Sequence, residues 1–341
     1  MPLEGGNSNG CEVTFTVRQR PEMTDEELER DADAVGRDLA ALRSLVETGL
    51  TAALKLFSIR TSGLWPGACP NSLPVMAGEA DRLWVGSMPD AYEHGLVPAV
   101  FRPFAIDLAR RVAAHAPQRV LELAAGTGVL TRELVAAGAV GADVVATDLN
   151  AAMVEFGRAT VPQATWQTAD ATDLPFGPRA FDLIACQFGV MFFPDKHAAF
   201  SDARRVLTAG GNFVLNTWAA VDAHDFQRAM VDVLECMFPD DPPTFFAAMP
   251  HGYADPDVVV RDLRAANFHR VDVEAVTCEG RADSAHALAV GYCSGTPLRA
   301  AIEARADLQG TTDAITKELE VRFGTGEVVG RMTAHVFEAS E

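Results

Sequence analysis

The run "VLELAAGTGVLT", residues 120–131, limits the fold more than any other stretch of this chain. Val120 to Leu123 form an apolar strand-like segment. Gly126 and Gly128 follow at once, and "GVLTRELVAAG" continues with the period of a helix. A strand that breaks at a glycine pair and restarts as a helix does two things. The glycines let the backbone approach a ligand closely, and the new helix points its unpaired N–H groups at the same place. In open α/β sheets ligands bind at such carboxyl ends of strands, near the point where the strand order reverses.

From about Asp90 onward strands and helices alternate. "ADVVATDL" reads as a strand and "AAMVEFGRAT" as a helix. "ATWQTAD" is a short strand and "FDLIACQFG" a buried one. "DKHAAFSDARRVLTAGG" is a helix and "NFVLNTW" a further strand. Strands that are apolar throughout and separated by helices imply a parallel sheet covered on both faces. After Trp218 the alternation loosens. A mostly helical stretch leads to the strand "HRVDVEAVTCEG", and another precedes a last strand, "GRMTAHVFEA". The "DPPTF" run at 241–245 is a proline turn far past the fifth strand, not a substrate box after the fourth.

The N-terminal part has another character. Residues 1–24 read as a polar tail. Thr24 with Glu27 forms a capping box, and Leu28, Ala32, Val35, Leu39, Leu42 and Val46 make one apolar seam ending at Gly49. A helical extension and linker over 25–75 is therefore expected, docked on the main domain or pairing with its own copy as a homodimer. The main domain would run over 76–341, with insertions at about 219–267 and 281–328.

The formal charge of −19 opposes a phosphate backbone, so nucleic acid is not expected as a partner. No apolar run approaches the ~20 residues of a membrane span, and "MPLEGGNSNG" is not a secretory signal. A cytoplasmic protein without a membrane partner is expected. The six cysteines are scattered without a C-x-x-C pair, which argues against a metal site. Cys186 reads as a small core residue.

The acidic residues around the glycine turn narrow the ligand. "GTGVLT" puts Thr131 where a dinucleotide fingerprint has its third glycine. Glu122, just before the turn, would repel a pyrophosphate but suits a ligand carrying an ammonium and a sulfonium. Asp148, ending the second strand, fits the hydroxyls of a ribose. Asp170 can accept from an adenine amine while the Ala171 N–H donates to a ring nitrogen. These features favour S-adenosylmethionine over NAD.

"VLELAAGTG", "ATDLN", "ADATDLPF" and "FDLIACQFGVMFFPD", in this order and spacing, resemble the class I S-adenosylmethionine-dependent methyltransferases. The flavour is that of the small-molecule group that includes quinone-biosynthesis enzymes. The resemblance is firm over about 90–218. It implies a doubly wound, mostly parallel seven-stranded sheet, Rossmann-like, and S-adenosylmethionine as cofactor. By position, Glu122, Gly126 and Gly128 would hold the methionine end. Asp148 would take the ribose, and Leu149 would lie beside the adenine. Asp170 and Ala171 would read its edge, and Gln187, just after the fourth strand, would face the reacting centre. Ala124 stands where the family has its first loop glycine. "MPDAYEHGLVPAVFRPFA" resembles the helix that covers the cofactor, with Tyr92 closing the site.

No catalytic side chain is carried over, because methyl transfer needs a base only where the acceptor must lose a proton. The stretch from Trp218 to Tyr253, rich in Phe, Met and Trp, suits a small apolar or aromatic acceptor, and equally suits a packed helical lid. His224, His251 and Tyr253 are its proton-handling candidates. Two other readings remain open: an NAD-dependent oxidoreductase, and a cofactor-binding module without turnover. The former lacks a lysine four residues after any of Tyr92, Tyr253 or Tyr292.

Overall fold

The structure is a computed structural model that describes residues 88–137 and 143–341. The capping box and apolar seam of the helical extension lie outside the described residues.

The elements follow in chain order. Helix α1 (Met88–Gly95) runs through a π turn (Val97–Phe101) into α2 (Arg102–Ala114). Next come β1 (Arg119–Glu122), α3 (Val129–Ala136), β2 (Asp143–Asp148), α4 (Ala151–Thr160) and β3 (Thr165–Thr168). Then follow β4 (Phe181–Gln187), α5 (Lys196–Val206) and β5 (Leu207–Trp218). The first insertion contributes α6 (Asp225–Met237), α7 (Phe245–Ala248) and α8 (Pro256–Ala265) before β6 (Arg270–Ala282). The second adds α9 (Ala285–Gly295), α10 (Leu298–Glu303) and α11 (Leu308–Phe323) before β7 (Val328–Ser340).

The seven strands form one sheet in the order β3-β2-β1-β4-β5-β7-β6. Strands β1 to β5 are parallel, and β7 inserts antiparallel between β5 and β6. The order reverses between β1 and β4, so the crevice of a doubly wound sheet opens beyond their carboxyl ends.

Strand alternation explains the layering. Val120, Leu183, Ala185, Val214 and Val336 face one core, with Leu108 and Val112 of α2 and Leu130 and Leu134 of α3. Their neighbours Leu121, Ile184, Cys186, Leu215 and Phe337 face the other, shared with Phe200 and Ala203 of α5 and Leu263 of α8. Because both faces are covered, the central strands are apolar along their whole length. Cys186 is fully buried, as its setting in the sequence implied.

The cover over the crevice comes from both ends of the described chain. Pro98 and Pro103 interrupt what the sequence presents as one helix, giving α1, the π turn and α2. Helix α9 lies against α1 at unusually short range. A Cβ added to Gly95 would stand 2.7 Å from the Gly291 Cα, so these two glycines permit the crossing.

Candidate functional site

The turn after β1 has the left-handed backbone that its glycines suggest. Gly126 sits at φ 56° and Gly128 at φ 91°. At Gly128 the constraint is double, because an added Cβ would meet the Trp166 ring at 2.9 Å. Replacing Gly128 with Ala is expected to cost roughly 2–3 kcal/mol, combining left-handed strain with overpacking. Urea unfolding of G128A checks this, and an unchanged midpoint would contradict it.

Ala124 also lies in the left-handed region, at φ 52°. The loop therefore keeps a glycine's conformation with an alanine in place, at a cost of roughly 1 kcal/mol. The neighbouring loop after β4 presses against it: a Cβ on Gly189 would meet the Ala124 Cβ at 2.5 Å and the Cys186 Sγ at 2.8 Å. Gly189 thus packs directly under this turn, a contact that the motifs above do not announce. Its mark in the sequence is the "CQFG" glycine directly after a buried strand.

Glu122 ends β1 and is 1% exposed. Helix α3 has no side-chain cap at its own N-cap residue, Gly128. Glu122 serves instead: the Thr131 hydroxyl donates to its Oε2 at 2.6 Å, and the Thr131 backbone N–H also reaches the carboxyl. Burial nevertheless pushes the Glu122 carboxyl up to about 8; the Thr131 hydrogen bond counters this in part, and the nearby Asp148 charge adds to it.

Asp148 ends β2 beside this turn. Its Oδ2 accepts from the Gly126 N–H at 2.8 Å and its Oδ1 from the Asn150 N–H at 2.9 Å. The capping of α4 belongs to Asn150, whose side chain accepts from Ala152 and Met153. Asp148 is thus released from that duty and tethers the glycine turn. Leu149 follows it and is 45% exposed, an apolar surface at the crevice edge.

Asp170 and Ala171 are brought alongside, since the Ala169 N–H donates to the Asp148 carbonyl at 3.0 Å. The Asp170 side chain is exposed. Its Oδ1 accepts from the backbone N–H and the hydroxyl of Thr172, at 2.8 and 2.7 Å, forming a local turn.

Gln187 is the last residue of β4 rather than a residue beyond it. Its Nε2 donates to the Phe101 carbonyl at 2.9 Å, which ties the strand end to the π turn of the cover. Because a carbonyl can only accept, the Gln187 amide orientation is fixed, and its buried Oε1 has no partner. Tyr92 on α1 packs 4.9 Å from Phe101. Its phenol is pushed far above the ordinary tyrosine range by burial and by the charges of Glu93 and Asp148. Glu93 pairs with Arg132 of α3 at 2.6 Å, holding α1 over the turn.

The buried polar side-chain atoms without partners, among the described residues, include Glu93 Oε2, Thr127 Oγ1, Gln187 Oε1, Asn216 Nδ2, His224 Nδ1 and Gln227 Oε1. They sit on the cover, on the glycine turn, at the carboxyl ends of β4 and β5, and just beyond β5. An unpaired buried polar group costs about 1–3 kcal/mol. Their gathering at one end of the sheet marks that end as built for a polar ligand or for ordered water.

Phe188 carries backbone strain there too, at φ 50°, with its N–H fixed to Asn216 Oδ1 at 2.9 Å. This aims its ring flat on Trp218, with centroids 3.5 Å apart at 7°. Of the three proton-handling candidates, His224 and His251 meet beside Trp218. Tyr253 does not join them: its hydroxyl donates to Asp262 at 2.9 Å, and its ring lies under Lys196. It is a structural residue, committed to holding the loop after β4.

Residues 120–211 match the family model described as a methyltransferase domain. This segment is similar to that family. It contains the glycine turn, Glu122, Asp148, Asp170 and Gln187. Over 109 residues the chain is 38% identical to a demethylmenaquinone methyltransferase of Clavibacter sepedonicus, covering 31% of this chain and 43% of that protein. The chain thus spans about two-fifths of the length of that relative. A ubiquinone/menaquinone biosynthesis C-methyltransferase of Stutzerimonas stutzeri is 26% identical over 200 residues, covering 54% of this chain and 76% of that protein. The fold is shared with phosphoethanolamine N-methyltransferase 2 of Haemonchus contortus, solved with S-adenosyl-L-methionine. The TM-score is 0.50 at 16% identity, over 80% of this chain and 60% of that one. The strand order around the matched segment is that expected of the doubly wound, seven-stranded class.

Proposed function

We propose that this chain is an S-adenosylmethionine-dependent methyltransferase whose acceptor is a small apolar or aromatic molecule. The observation that carries the reading is the pair of carboxylates on either side of the left-handed turn, Glu122 and Asp148. A buried carboxylate at the start of α3 would be poor company for a pyrophosphate but suits an ammonium group. The buried, unpartnered Thr127 Oγ1 and Gln187 Oε1 beside it supply further polar contacts. In this reading Glu122, Gly126 and Gly128 hold the methionine end and Asp148 the ribose. Leu149, Asp170 and Ala171 flank the adenine, and Tyr92 covers the site.

S-adenosylmethionine supplies a methyl group already activated by its sulfonium. The protein's share is position and dryness. The Glu93–Arg132 pair and the Gln187–Phe101 hydrogen bond hold the cover down over the turn. The aromatic wall of Phe101, Phe188 and Trp218 keeps water from the acceptor side. The same reading places the protein in the cytoplasm, without nucleic acid as partner, and has the helical extension at 25–75 mediate self-association. Among the described residues no helix is long and apolar enough to cross a membrane.

Thermal unfolding with S-adenosylmethionine, S-adenosylhomocysteine, NAD and NADP, each alone, tests this. A ligand at ~100 times its dissociation constant should add about 2.7 kcal/mol of stability. A raised midpoint with the two adenosyl compounds only is expected. A shift with NAD instead would remove the methyltransferase reading.

A further inference from the structure

The turn after β1 gathers negative charge. Glu122 and Asp148 reach it from β1 and β2, and Glu93 from the cover. A ligand with an amino-acid end brings a carboxylate of its own, which these acids repel. That carboxylate needs a cation. The runs 88–101, 120–131, 147–157, 166–178, 185–195 and 216–224 supply the cover and the carboxyl ends of β1 to β5. None of them contains a lysine or an arginine. Two cations just beyond them are committed elsewhere. Arg158 serves Glu155 and the Trp166 carbonyl, and Lys196 serves the carbonyls of Met191 and Phe193.

Arg132 is the exception. It stands in the opening turn of α3, directly after the Thr131 whose hydroxyl donates to Glu122. Its Nη1 donates to the Thr127 carbonyl at 3.3 Å, and its Nη2 to Glu93 Oε1 at 2.6 Å. The guanidinium is thereby held between the glycine turn and the cover. Only two of its five N–H groups are engaged in this way, so the fork keeps donors for a ligand.

Access and electrostatics agree with that position. The Arg132 side chain is 31% exposed, whereas Glu122 is buried, so a carboxylate can reach the guanidinium from solvent. Its charge acts on both Glu122 and Tyr92, where it opposes the upward push of burial. Glu122 and Arg132 therefore present opposite charges beside one turn.

We infer that Arg132 binds the carboxylate of the amino-acid end of an S-adenosyl ligand, while Glu122 takes the ammonium. The inference rests on the methyltransferase reading of this site and extends it to a residue outside the glycine turn. A zwitterion meets a matched pair there. A ligand that lacks the carboxylate forgoes the charged, bidentate contact that arginine makes best. The site is thereby selective for ligands that keep an intact amino acid on the sulfur.

Calorimetry with two probes tests this: S-adenosylhomocysteine and its decarboxylated analogue. The analogue keeps the adenosine, the thioether and the ammonium. Wild type is expected to bind S-adenosylhomocysteine roughly tenfold to a hundredfold more tightly than the analogue. Arg132→Met, which keeps the apolar stem, should bring the two probes to within about threefold. It should leave the affinity for the analogue within about threefold of wild type. Arg132→Lys keeps the charge without the fork and should fall between. If Arg132 only latches the cover, R132M weakens both probes by the same factor. That result, or equal affinities in wild type, would overturn the inference and leave the methyltransferase reading standing. Should R132M fail to fold, the wild-type comparison and R132K decide. Binding of neither probe by wild type would overturn the reading and the inference together.

Discussion

The ligand-free protein is expected to be most stable near pH ~6.5, and Glu122→Gln to remove the fall on the alkaline side. The folded state holds the Glu122 proton up to about 8, whereas an unfolded glutamate releases it near 4.5. Between these values the unfolded chain binds fewer protons, so stability declines as pH rises. The accumulated loss by pH 8 is on the order of 4 kcal/mol. His224 and His251 act in the opposite direction. Their folded values lie near 3 and 4, below the ordinary 6.5, so their contribution is present above that value and lost as pH falls. Below pH ~6.5 two histidines outweigh one glutamate. Above it the glutamate slope stands alone, about 1.4 kcal/mol per pH unit until the pH nears 8.

Urea unfolding from pH 5 to 8 reads this directly. The variant keeps an oxygen for Thr131, so it should equal wild type near pH 5 and exceed it by several kcal/mol at pH 8. An identical alkaline slope in both proteins would mean that Glu122 ionises freely. A second consequence follows for binding. If the ammonium of S-adenosylhomocysteine pairs with Glu122, binding at pH 7 must expel the proton. Affinity then rises by up to tenfold per unit between pH ~6 and ~8. Calorimetry in two buffers of different ionisation heat measures that release, and E122Q should show none.

The parts of this site that were legible in the sequence are those fixed by local backbone chemistry. The Gly126–Gly128 turn announces itself because few other residues take a left-handed conformation cheaply. Asn150 as the cap of α4 follows from its place before an apolar helix. The central strands were readable because they are buried on both faces. What depended on distant contacts was not readable. The Gly95–Gly291 crossing joins residues almost two hundred positions apart, and nothing in the sequence around either glycine points to the other. The Phe188–Trp218 stack needs a strained residue after β4, which propensity would never assign to phenylalanine. Tyr253 was misjudged for a similar reason: nearness in sequence to His251 said nothing of the Asp262 that holds its hydroxyl. Gln187 lies one step earlier than expected, inside the strand, because β4 still pairs with β5 there, Gln187 opposite Asn216.

Asp148→Ala is expected to weaken S-adenosylhomocysteine binding by roughly 10²- to 10⁴-fold. Two hydrogen bonds from ribose hydroxyls to a carboxylate are worth about 1.5–3 kcal/mol each. The same carboxylate tethers the Gly126 and Asn150 N–H groups, so the variant will also lose stability. A carboxylate accepts about four hydrogen bonds, so holding the turn does not exclude holding a ligand. The two roles separate through a control on the same loop. Asn150→Ala removes the cap of α4, with its bonds to Ala152 at 2.8 Å and Met153 at 3.3 Å. It should cost about 1 kcal/mol of stability and leave affinity within about threefold. Asp148→Asn keeps the shape and loses the charge, and should fall between wild type and alanine. If D148A binds S-adenosylhomocysteine within threefold of wild type, Asp148 is only a clamp on the glycine turn. The acidic pair flanking that turn would then lose its claim to the ribose, and the methyltransferase reading would have to stand on Glu122 alone.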